Sequence, residues 1–484
     1  MHPRILQRAS RTALLSLFFL LPAAAQQDVR TEVDAVFADV ARPGSPGCAL
    51  GVYQDAKILY AKGYGLASIE LNAPITPQSV FDIGSTSKQF TVASILLLER
   101  RGQLSIHDDI RKFIPEVPAY GPKITLLHLM NHTSGLRDYL TLFQLAGINT
   151  DSVTTDQDAL GVISRQKALN FAPGSDYLYS NSGFFLLSLV VKRVSGKTLR
   201  EFAAENIFQP LGMMHTAYRE DHTALVPNRA LAYDPAGKEG YKLDVSYFEQ
   251  TGDGAVHTSV EDLLKWDENF YTAQIGGQEF LAEIQTQAVL NSGKTLPYAK
   301  GLVIGVYRGL RTVSHAGSWG GYRAQLLRFP DRHFSVACLC NLATANPDKR
   351  ALQVAEVYLR GLMKAAEKEP QEEAKEPLKP EITLSAQELD AYAGDYASAE
   401  LGVLYRLAVV QNKARLQEIL DLAGIPRTAP LPGAALRAVA PGEFEMNAEA
   451  PLAFHFSRSA AGAVTGFTLD AGRTKGMTFL RNDR

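Results

Sequence analysis

The segment from Lys364 to Glu381 divides the chain into two parts of different character. It reads KAAEKEPQEEAKEPLKPE, with three prolines, dense charge and no apolar periodicity. Such a composition is typical of a solvated linker. Because 484 residues exceed what one core usually organises, the sequence predicts two folded domains, at residues 26–363 and 382–484.

The first part mixes strand-like and helical segments. Strand-like runs lie near its two ends, at Ala49–Tyr53, Ile58–Tyr64, Ala324–Phe329 and Phe334–Leu342. Apolar helical stretches fill the middle, and one of them runs from Lys88 to Arg101 before a glycine that suits a helix end. This order predicts an α/β sandwich of the α+β kind rather than a doubly wound sheet.

The second part consists of short alternating runs separated by turn residues. The clearest runs are Val403–Val410, Val464–Leu469 and Met477–Leu480. Alternation with a period of two is typical of strands whose faces have different surroundings. The sequence therefore predicts an antiparallel sheet or small barrel in residues 382–484.

The N-terminus has the pattern of a secretory signal. Three arginines, Arg4, Arg8 and Arg11, precede a short apolar run from Ala13 to Leu21, and small residues follow up to Ala25. We predict cleavage after Ala25, so that residues 1–25 are a signal peptide and the protein is exported, to the periplasm or outside the cell. A membrane anchor is the alternative, but the apolar run is too short to favour it.

Charge and composition restrict the partners. Lysine and arginine (49) nearly balance aspartate and glutamate (51), which leaves a net charge of -2 without a basic block. Nucleic acid and anionic membrane surfaces are therefore not expected partners. No stretch has the apolar length of an integral membrane segment.

Three cysteines, Cys48, Cys338 and Cys340, do not make a disulfide framework. Cys338 and Cys340 alternate on a predicted strand, so they share a face and cannot easily bridge each other. Although an exported protein can oxidise its cysteines, we expect these three to be small buried hydrophobic residues.

Ser85 and Lys88 form a Ser-x-x-Lys pair at the start of a helix. Residues three apart share a helix face, and burial favours the neutral lysine amine that could activate a serine. The helix N-terminus also offers backbone N–H groups to an oxyanion. The pattern alone is weak because Ser164 and Lys167 match it too, and a helix cap would also explain Ser85.

Tyr179 and Asn181 form the only Tyr-x-Asn of the chain, just ahead of a helix. On an extended segment this spacing points both side chains the same way. The phenol can transfer a proton and the amide can hold a substrate carbonyl. The alternative is a purely structural role, with Ser180 or Asn181 capping the helix and Tyr179 packing against its base.

His315 and Gly317 form the only His-x-Gly of the chain. A glycine at a strand edge permits close approach of a substrate backbone, so both residues are candidates for substrate binding. A structural histidine at a turn is an equally good interpretation of this pattern alone.

In this order, the three patterns resemble the motifs of the serine β-lactamase and penicillin-binding protein superfamily. The segment Ile124 to Leu136, ITLLHLMNHTSGL, is similar to a signature stretch of that family. The resemblance covers Val36 to Tyr358 and points to the class C branch with its esterases, D-aminopeptidases and carboxypeptidases. It implies the β-lactamase/transpeptidase-like fold, an antiparallel sheet flanked by helices plus an all-helical subdomain.

The resemblance also implies roles for individual residues. Ser85 becomes the acylated nucleophile, Lys88 and Tyr179 the proton-transfer pair, Asn181 a contact to the substrate amide, and the backbone N–H groups of Ser85 and Ser318 the oxyanion hole. Three polar residues in family-like segments, His128, His132 and Asp253, are interpreted as structural. No metal and no cofactor is implied.

His315 departs from the usual motif, which begins with lysine. Lysine is a permanent cation that can hold a carboxylate, whereas histidine is largely neutral at pH 7. Because esterases and D-amino-acid amidases of the family often carry histidine there, the substitution argues against an efficient β-lactamase.

The C-terminal part resembles the lipocalin-like domain of some D-stereospecific peptidases of this family, through YAGDY at Tyr392–Tyr396. The sequence thus predicts an exported serine hydrolase that forms a Ser85 acyl-enzyme. Small esters, or amides and short peptides with a D-residue, are the expected substrates. A true β-lactamase and a non-catalytic penicillin-binding sensor are the alternatives.

Overall fold

The computed structural model describes residues 23–149, 152–238, 240–365, 379–423, 427, 435–446 and 452–482. The predicted signal peptide up to residue 22 and the linker residues 366–378 lie outside the described residues. The first described helix begins at Ala23, within the last residues of the predicted signal.

In the first part, strands lie near both ends and most helices lie between them, as the sequence predicts. The helices are α1 (Ala23–Val36), α2 (Lys88–Arg100), α3 (Leu126–Met130), α4 (Tyr139–Leu145), α5 (Asp156–Ser164), α6 (Asn181–Ser195), α7 (Leu199–Ala203), α8 (Val260–Thr272), α9 (Gly277–Ile284), α10 (Pro347–Leu359) and α11 (Ala386–Asp390). Among the described residues, no helix combines the length and the apolar character needed to cross a membrane.

Seven antiparallel strands form the first sheet: β1 (Cys48–Gln54), β2 (Lys57–Tyr64), β3 (Tyr298–Ala299), β4 (Leu302–Tyr307), β5 (Leu310–Trp319), β6 (Tyr322–Phe329) and β7 (Phe334–Cys340). Their spatial order is β3-β4-β5-β6-β7-β1-β2, so the last strand of this part pairs with the first. Smaller sheets are formed by Leu66–Ser68, Ala73–Pro74, Phe81–Asp82, Ala217–Tyr218, Tyr233–Ala236, Gly240–Leu243 and Val256–Thr258.

Helices cover both faces of the first sheet. Val33 of α1 and Val354 of α10 pack with Leu50 of β1 on one face, whereas Trp266 of α8 packs with Ala49 on the other. Helices α2 and α6 are buried along most of their length because they form the centre of the helical subdomain. The predicted fold, an antiparallel sheet flanked by helices with a helical subdomain, is confirmed.

A disulfide joins Cys48 to Cys340, which lie opposite each other on β1 and β7 with 4.0 Å between their Cα atoms. Cys338 is free and buried, and its Sγ lies 3.7 Å from that of Cys340. The expectation that all three cysteines are unpaired buried residues is therefore wrong for Cys48 and Cys340. The pairing depends on two strands almost 300 residues apart becoming neighbours (a separation of 292).

The C-terminal part forms an eight-stranded antiparallel sheet: β8 (Gly394–Ser398), β9 (Val403–Val410), β10 (Lys413–Asp421), β11 (Arg437–Ala440), β12 (Glu443–Met446), β13 (Leu452–Arg458), β14 (Val464–Ala471) and β15 (Thr474–Arg481). Its order is β10-β9-β8-β15-β14-β13-β12-β11. The sheet curls until Arg415 of one edge strand pairs with Ala435, just ahead of the other edge strand. The predicted small β barrel is confirmed.

Buried polar contacts hold the barrel against the first part of the chain. Arg137 and Glu400 form an ion pair of 2.7 Å, with only 1% and 8% of their side chains exposed. Arg137 also donates through Nε to the carbonyl of Lys475, and Tyr405 donates to the carbonyl of Leu145. Removing one partner of a buried ion pair leaves an uncompensated charge, so this interface fixes the barrel in place. The β14–β15 hairpin is thereby held beside the helical subdomain.

Candidate active site

Ser85 lies in a tight 3₁₀ turn, Gly84–Ser87, directly before α2. Gly84 has a φ of +47°, and its N–H donates to the buried carboxylate of Asp82 at 2.8 Å. A Cβ on Gly84 would lie 2.7 Å from the backbone nitrogen of Ser318. Only glycine fits there, because both the backbone conformation and the space exclude a side chain. The turn therefore holds Ser85 next to the Ser318 N–H.

A cavity of about 720 Å³ opens above this turn. Its lining includes Ser85, Tyr179, Asn181, His315, Gly317 and Ser318. The structure thus brings together the predicted site residues, with Lys88 buried beside Ser85. The second Ser-x-x-Lys lies elsewhere. Ser164 is the last residue of α5, and its hydroxyl donates to the carbonyl of Gly161.

Lys88 is completely buried at the base of the cavity. Its Nζ lies 3.0 Å from Ser85 Oγ, 3.0 Å from Asn181 Oδ1 and 2.5 Å from the backbone oxygen of Asp253. Burial lowers the pKa of Lys88 to about 7, against a smaller raising effect of the Asp253 charge. An amine that loses its proton near neutral pH can accept the proton of Ser85.

Tyr179 faces the same cavity. Its hydroxyl is buried and forms no hydrogen bond of standard geometry with the described residues. Burial raises the pKa of Tyr179, although Ser85 lies near enough to lower it in part. The phenol therefore stays protonated, and an unpaired buried donor in a cavity suits a partner that arrives with the substrate.

Asn181 begins α6 and links the two motifs. Its side-chain oxygen accepts from Lys88, and its backbone N–H donates to Asp138 Oδ2 at 2.6 Å. Asn181 therefore positions Lys88, and it is also a residue of the cavity lining. Its predicted contact with a substrate amide stays a prediction.

His315 belongs to a chain of hydrogen bonds. Because His132 Nδ1 accepts from the N–H of Ser180 (3.2 Å), its Nε2 must donate to the Tyr298 hydroxyl (3.0 Å). Tyr298 then donates to His315 Nε2 at 3.2 Å, and His315 Nδ1 donates to the carbonyl of Ala316 at 2.6 Å. Burial lowers the pKa of His315 to about 4. The ring is therefore neutral, with both nitrogens engaged.

A scan against family models matches residues 33–359 to the family described as Beta-lactamase. The chain belongs to the Beta-lactamase family. The predicted resemblance to β-lactamase-related serine hydrolases is thereby confirmed.

Several relatives support this assignment. The chain is 31% identical to penicillin-binding protein 4* of Bacillus subtilis over 305 residues, 59% of this chain and 65% of that protein. It is 27% identical to a D-aminopeptidase of Gluconobacter oxydans over 387 residues, 80% of this chain and 69% of that protein. The matches therefore span about two thirds of the length of these relatives.

Solved structures share the fold. The octameric penicillin-binding protein homologue of Pyrococcus abyssi has a TM-score of 0.59 at 22% identity, over 95% of this chain and 99% of that one. A D-amino acid amidase of Ochrobactrum anthropi, complexed with D-phenylalanine, has the same TM-score at 19% identity, over 69% of this chain and 99% of that one.

In this Beta-lactamase-family chain, Gly317 has a structural reason to be glycine. A Cβ there would lie 1.9 Å from the carbonyl oxygen of Ile83, so β5 packs directly against the chain that leads to Ser85. Sequence reasoning assigned this glycine to close approach by a substrate. The structure shows a close approach between two backbone segments of the protein, and a contact between Gly317 and a substrate stays a prediction.

Two further residues of the cavity lining were not among the predicted site residues. Asp253, interpreted as part of a turn, accepts from Lys88 through its carbonyl and from Tyr139 through its carboxylate (3.0 Å). Its burial raises the pKa of the carboxyl group. Arg473, from the tip of the β14–β15 hairpin, also lines the cavity. No local pattern in the sequence indicates either role.

Two clusters of potential metal ligands occur among the described residues. One consists of the three cysteines, two of which form the disulfide, and the other of Asp221, His222 and Glu249. Neither cluster contributes to the lining of the cavity beside Ser85.

Proposed function

We propose that this protein is an exported serine hydrolase that acts through a Ser85 acyl-enzyme on amides or esters of D-amino acids and related short peptides. The observation that carries the proposal is the contact of 3.0 Å between Lys88 Nζ and Ser85 Oγ, with the unpaired Tyr179 hydroxyl in the same cavity. A base on one side of the nucleophile and a proton donor on the other are the parts that acyl transfer needs.

The reaction proceeds in two steps. Neutral Lys88 takes the proton of Ser85 as Oγ bonds to the substrate carbonyl carbon, and the N–H groups of Ser85 and Ser318 hold the oxyanion. Tyr179 donates its proton to the leaving nitrogen or oxygen as that bond breaks, and regains a proton from Lys88. Water then attacks the carbonyl carbon of the acyl-enzyme ester and gives a proton to the Lys88–Tyr179 pair. The bond to Ser85 Oγ breaks, Oγ regains a proton from that pair, and the acid is released.

Substrates with a D-residue are favoured by the names of the relatives, which include several D-aminopeptidases and a D-amino acid amidase. An efficient β-lactamase is a weaker candidate because neutral His315, with both nitrogens engaged, provides no fixed cation at the position where lysine is usual. A non-catalytic sensor is weaker still, because Lys88 and Tyr179 equip the site for turnover.

Profiling of the purified protein tests the substrate class. We expect D-phenylalanine amide and an aryl ester to be turned over repeatedly, and L-phenylalanine amide at least about tenfold more slowly. A chromogenic cephalosporin should react more slowly than the ester. Turnover of the cephalosporin far above that of every ester and D-amide would contradict the proposal in favour of a β-lactamase, and a single acylation without turnover would favour a sensor.

Export is proposed from the N-terminal signal pattern and from the disulfide between Cys48 and Cys340, since disulfides persist mainly in oxidising compartments. Expression of the full chain in a bacterium should give a periplasmic or secreted protein that begins at Gln26. N-terminal sequencing of an uncleaved, cytosolic product would contradict this.

A further inference from the structure

The cavity beside Ser85 contains a cation that comes from the C-terminal barrel. Arg473 occupies the two-residue turn between β14 and β15, where Ala471 pairs with Thr474. Its backbone carbonyl accepts from Asn170 Nδ2 at 3.0 Å, and the next residue but one, Lys475, donates its N–H to the same side chain at 2.8 Å. The turn is therefore anchored to the first part of the chain.

The guanidinium of Arg473 lies over the ring of Tyr179, with 4.6 Å between Cζ and the ring centre. Among the described residues, the one carboxylate oxygen within 4 Å of the guanidinium is Asp138 Oδ2 at 3.9 Å, which is longer than a hydrogen bond. Asp138 already accepts from the N–H of Asn181. The Arg473 side chain is 44% exposed and belongs to the lining of the cavity.

The other two arginines of the cavity differ from Arg473. Arg219 donates to the carbonyls of Ser246 and His222, and Arg323 donates to carbonyls of its own turn. His315 is neutral, and its two ring nitrogens are already hydrogen-bonded. Arg219 Nε also has no hydrogen-bond partner among the described residues. Arg473 differs from both arginines because its guanidinium forms no hydrogen bond with any of the residues that the structure describes.

We propose that Arg473 binds a carboxylate of the substrate on its leaving-group side. The inference rests on the proposed function, in which Tyr179 protonates the leaving nitrogen. In an α-amino acid the nitrogen and the carboxylate carbon are only about 2.5 Å apart. A leaving amino acid whose nitrogen meets the Tyr179 hydroxyl therefore places its carboxylate near the cation that covers the same ring. Guanidinium binds carboxylate in a planar, two-pronged manner.

The barrel thereby becomes part of the specificity site. Arg473 favours acylated amino acids or short peptides that end in a free carboxylate next to the scissile bond over amides whose leaving group is neutral. Arg473 thus brings a cation into the cavity from the C-terminal barrel, at a position distinct from that of His315.

A matched pair of substrates tests this: an N-acylated D-alanyl-D-alanine and the same peptide with a C-terminal amide. For Arg473→Ala we expect kcat/KM on the carboxylate peptide to fall about 10- to 100-fold, mainly through KM, because a hydrogen-bonded charge partner is lost. On the amide peptide and on an aryl ester the change should stay below about threefold. Arg473→Lys should recover part of the loss. Lys475→Ala, which removes the same charge from the same hairpin, is the control and should change neither peptide.

Equal losses on both peptides would overturn the proposal, since Arg473 would then act through Tyr179, Lys88 or the fold. A wild-type preference for the amide peptide would also overturn it. The aryl ester separates this outcome from failure of the proposed function. Ester turnover with labelling of Ser85 keeps the hydrolase assignment even if Arg473 has no carboxylate partner.

Discussion

Replacing Ser85 with alanine should abolish hydrolysis of an aryl ester, with a loss on the order of 10⁴- to 10⁶-fold. The size of the loss follows from the geometry, because the Lys88 amine lies 3.0 Å from Ser85 Oγ and forms no hydrogen bond with another hydroxyl of the described residues. Gly84 and the turn are unchanged in Ser85→Ala, so its thermal unfolding should match that of the wild type. The measurement is initial rate at saturating ester.

The chain provides a matched control in Ser164, the serine of the second Ser-x-x-Lys. Its hydroxyl donates to the carbonyl of Gly161, away from the cavity. Ser164→Ala should therefore keep activity within about twofold. Loss of activity in Ser164→Ala with retention in Ser85→Ala would mean that the wrong serine has been assigned.

Lys88→Met and Tyr179→Phe should each lower kcat/KM by about 10²- to 10⁴-fold, the usual contribution of general acid–base groups. If the two act as one proton-transfer unit, the double variant should lose much less than the product of the single losses. Tyr179→Phe removes a buried hydroxyl without a hydrogen-bond partner among the described residues, so it should not lower the unfolding temperature.

Tyr120→Phe is the control for this substitution, because Tyr120 also has a buried, unpaired hydroxyl but lies outside the cavity. It should leave activity unchanged. Near-normal activity in Tyr179→Phe would remove the phenol from the mechanism.

The pH dependence of kcat/KM for the same reaction reports the protonation state of Lys88. Only the neutral amine can accept the Ser85 proton, so kcat/KM should rise with pH and level off above the lowered pKa of about 7. Burial lowers the pKa of both His315 and His132, so neither histidine should cause this rise of kcat/KM with pH. The residual activity of Lys88→Met should not show this rise with pH.

The parts of the site that follow from local sequence were predictable. Lys88 lies one helical turn after Ser85, and Tyr179 and Asn181 flank the start of α6, so their relation depends on a few neighbouring residues. The order of the motifs then fixed the family, and the family fixed the fold. The apolar spacing of β9 likewise predicted its bounds, Val403–Val410.

Contacts between distant segments were not predictable in the same way. Arg473 reaches Tyr179 only because the barrel docks through Arg137 and Glu400, and nothing at a hairpin tip indicates where it will point. The Cys48–Cys340 pair depends on strand order in the same manner.

His315 illustrates a further limit of sequence reasoning. Its neutrality could be expected from the chemistry of imidazole, but its hydrogen bond with Tyr298 could not, because Tyr298 lies on β3, two strands away from His315 in the sheet, and the pattern does not specify it. The motif therefore indicated a residue of the cavity lining without indicating what its ring contacts.

The most direct test of the account is to locate the covalent adduct of a fluorophosphonate probe by peptide mapping of the full-length protein. We expect one adduct, on the peptide that contains Ser85. This adduct should be absent from Ser85→Ala and should form much more slowly in Lys88→Met. An adduct on Ser164, or ester hydrolysis that continues in Ser85→Ala without any adduct, would contradict a Ser85 acyl-enzyme.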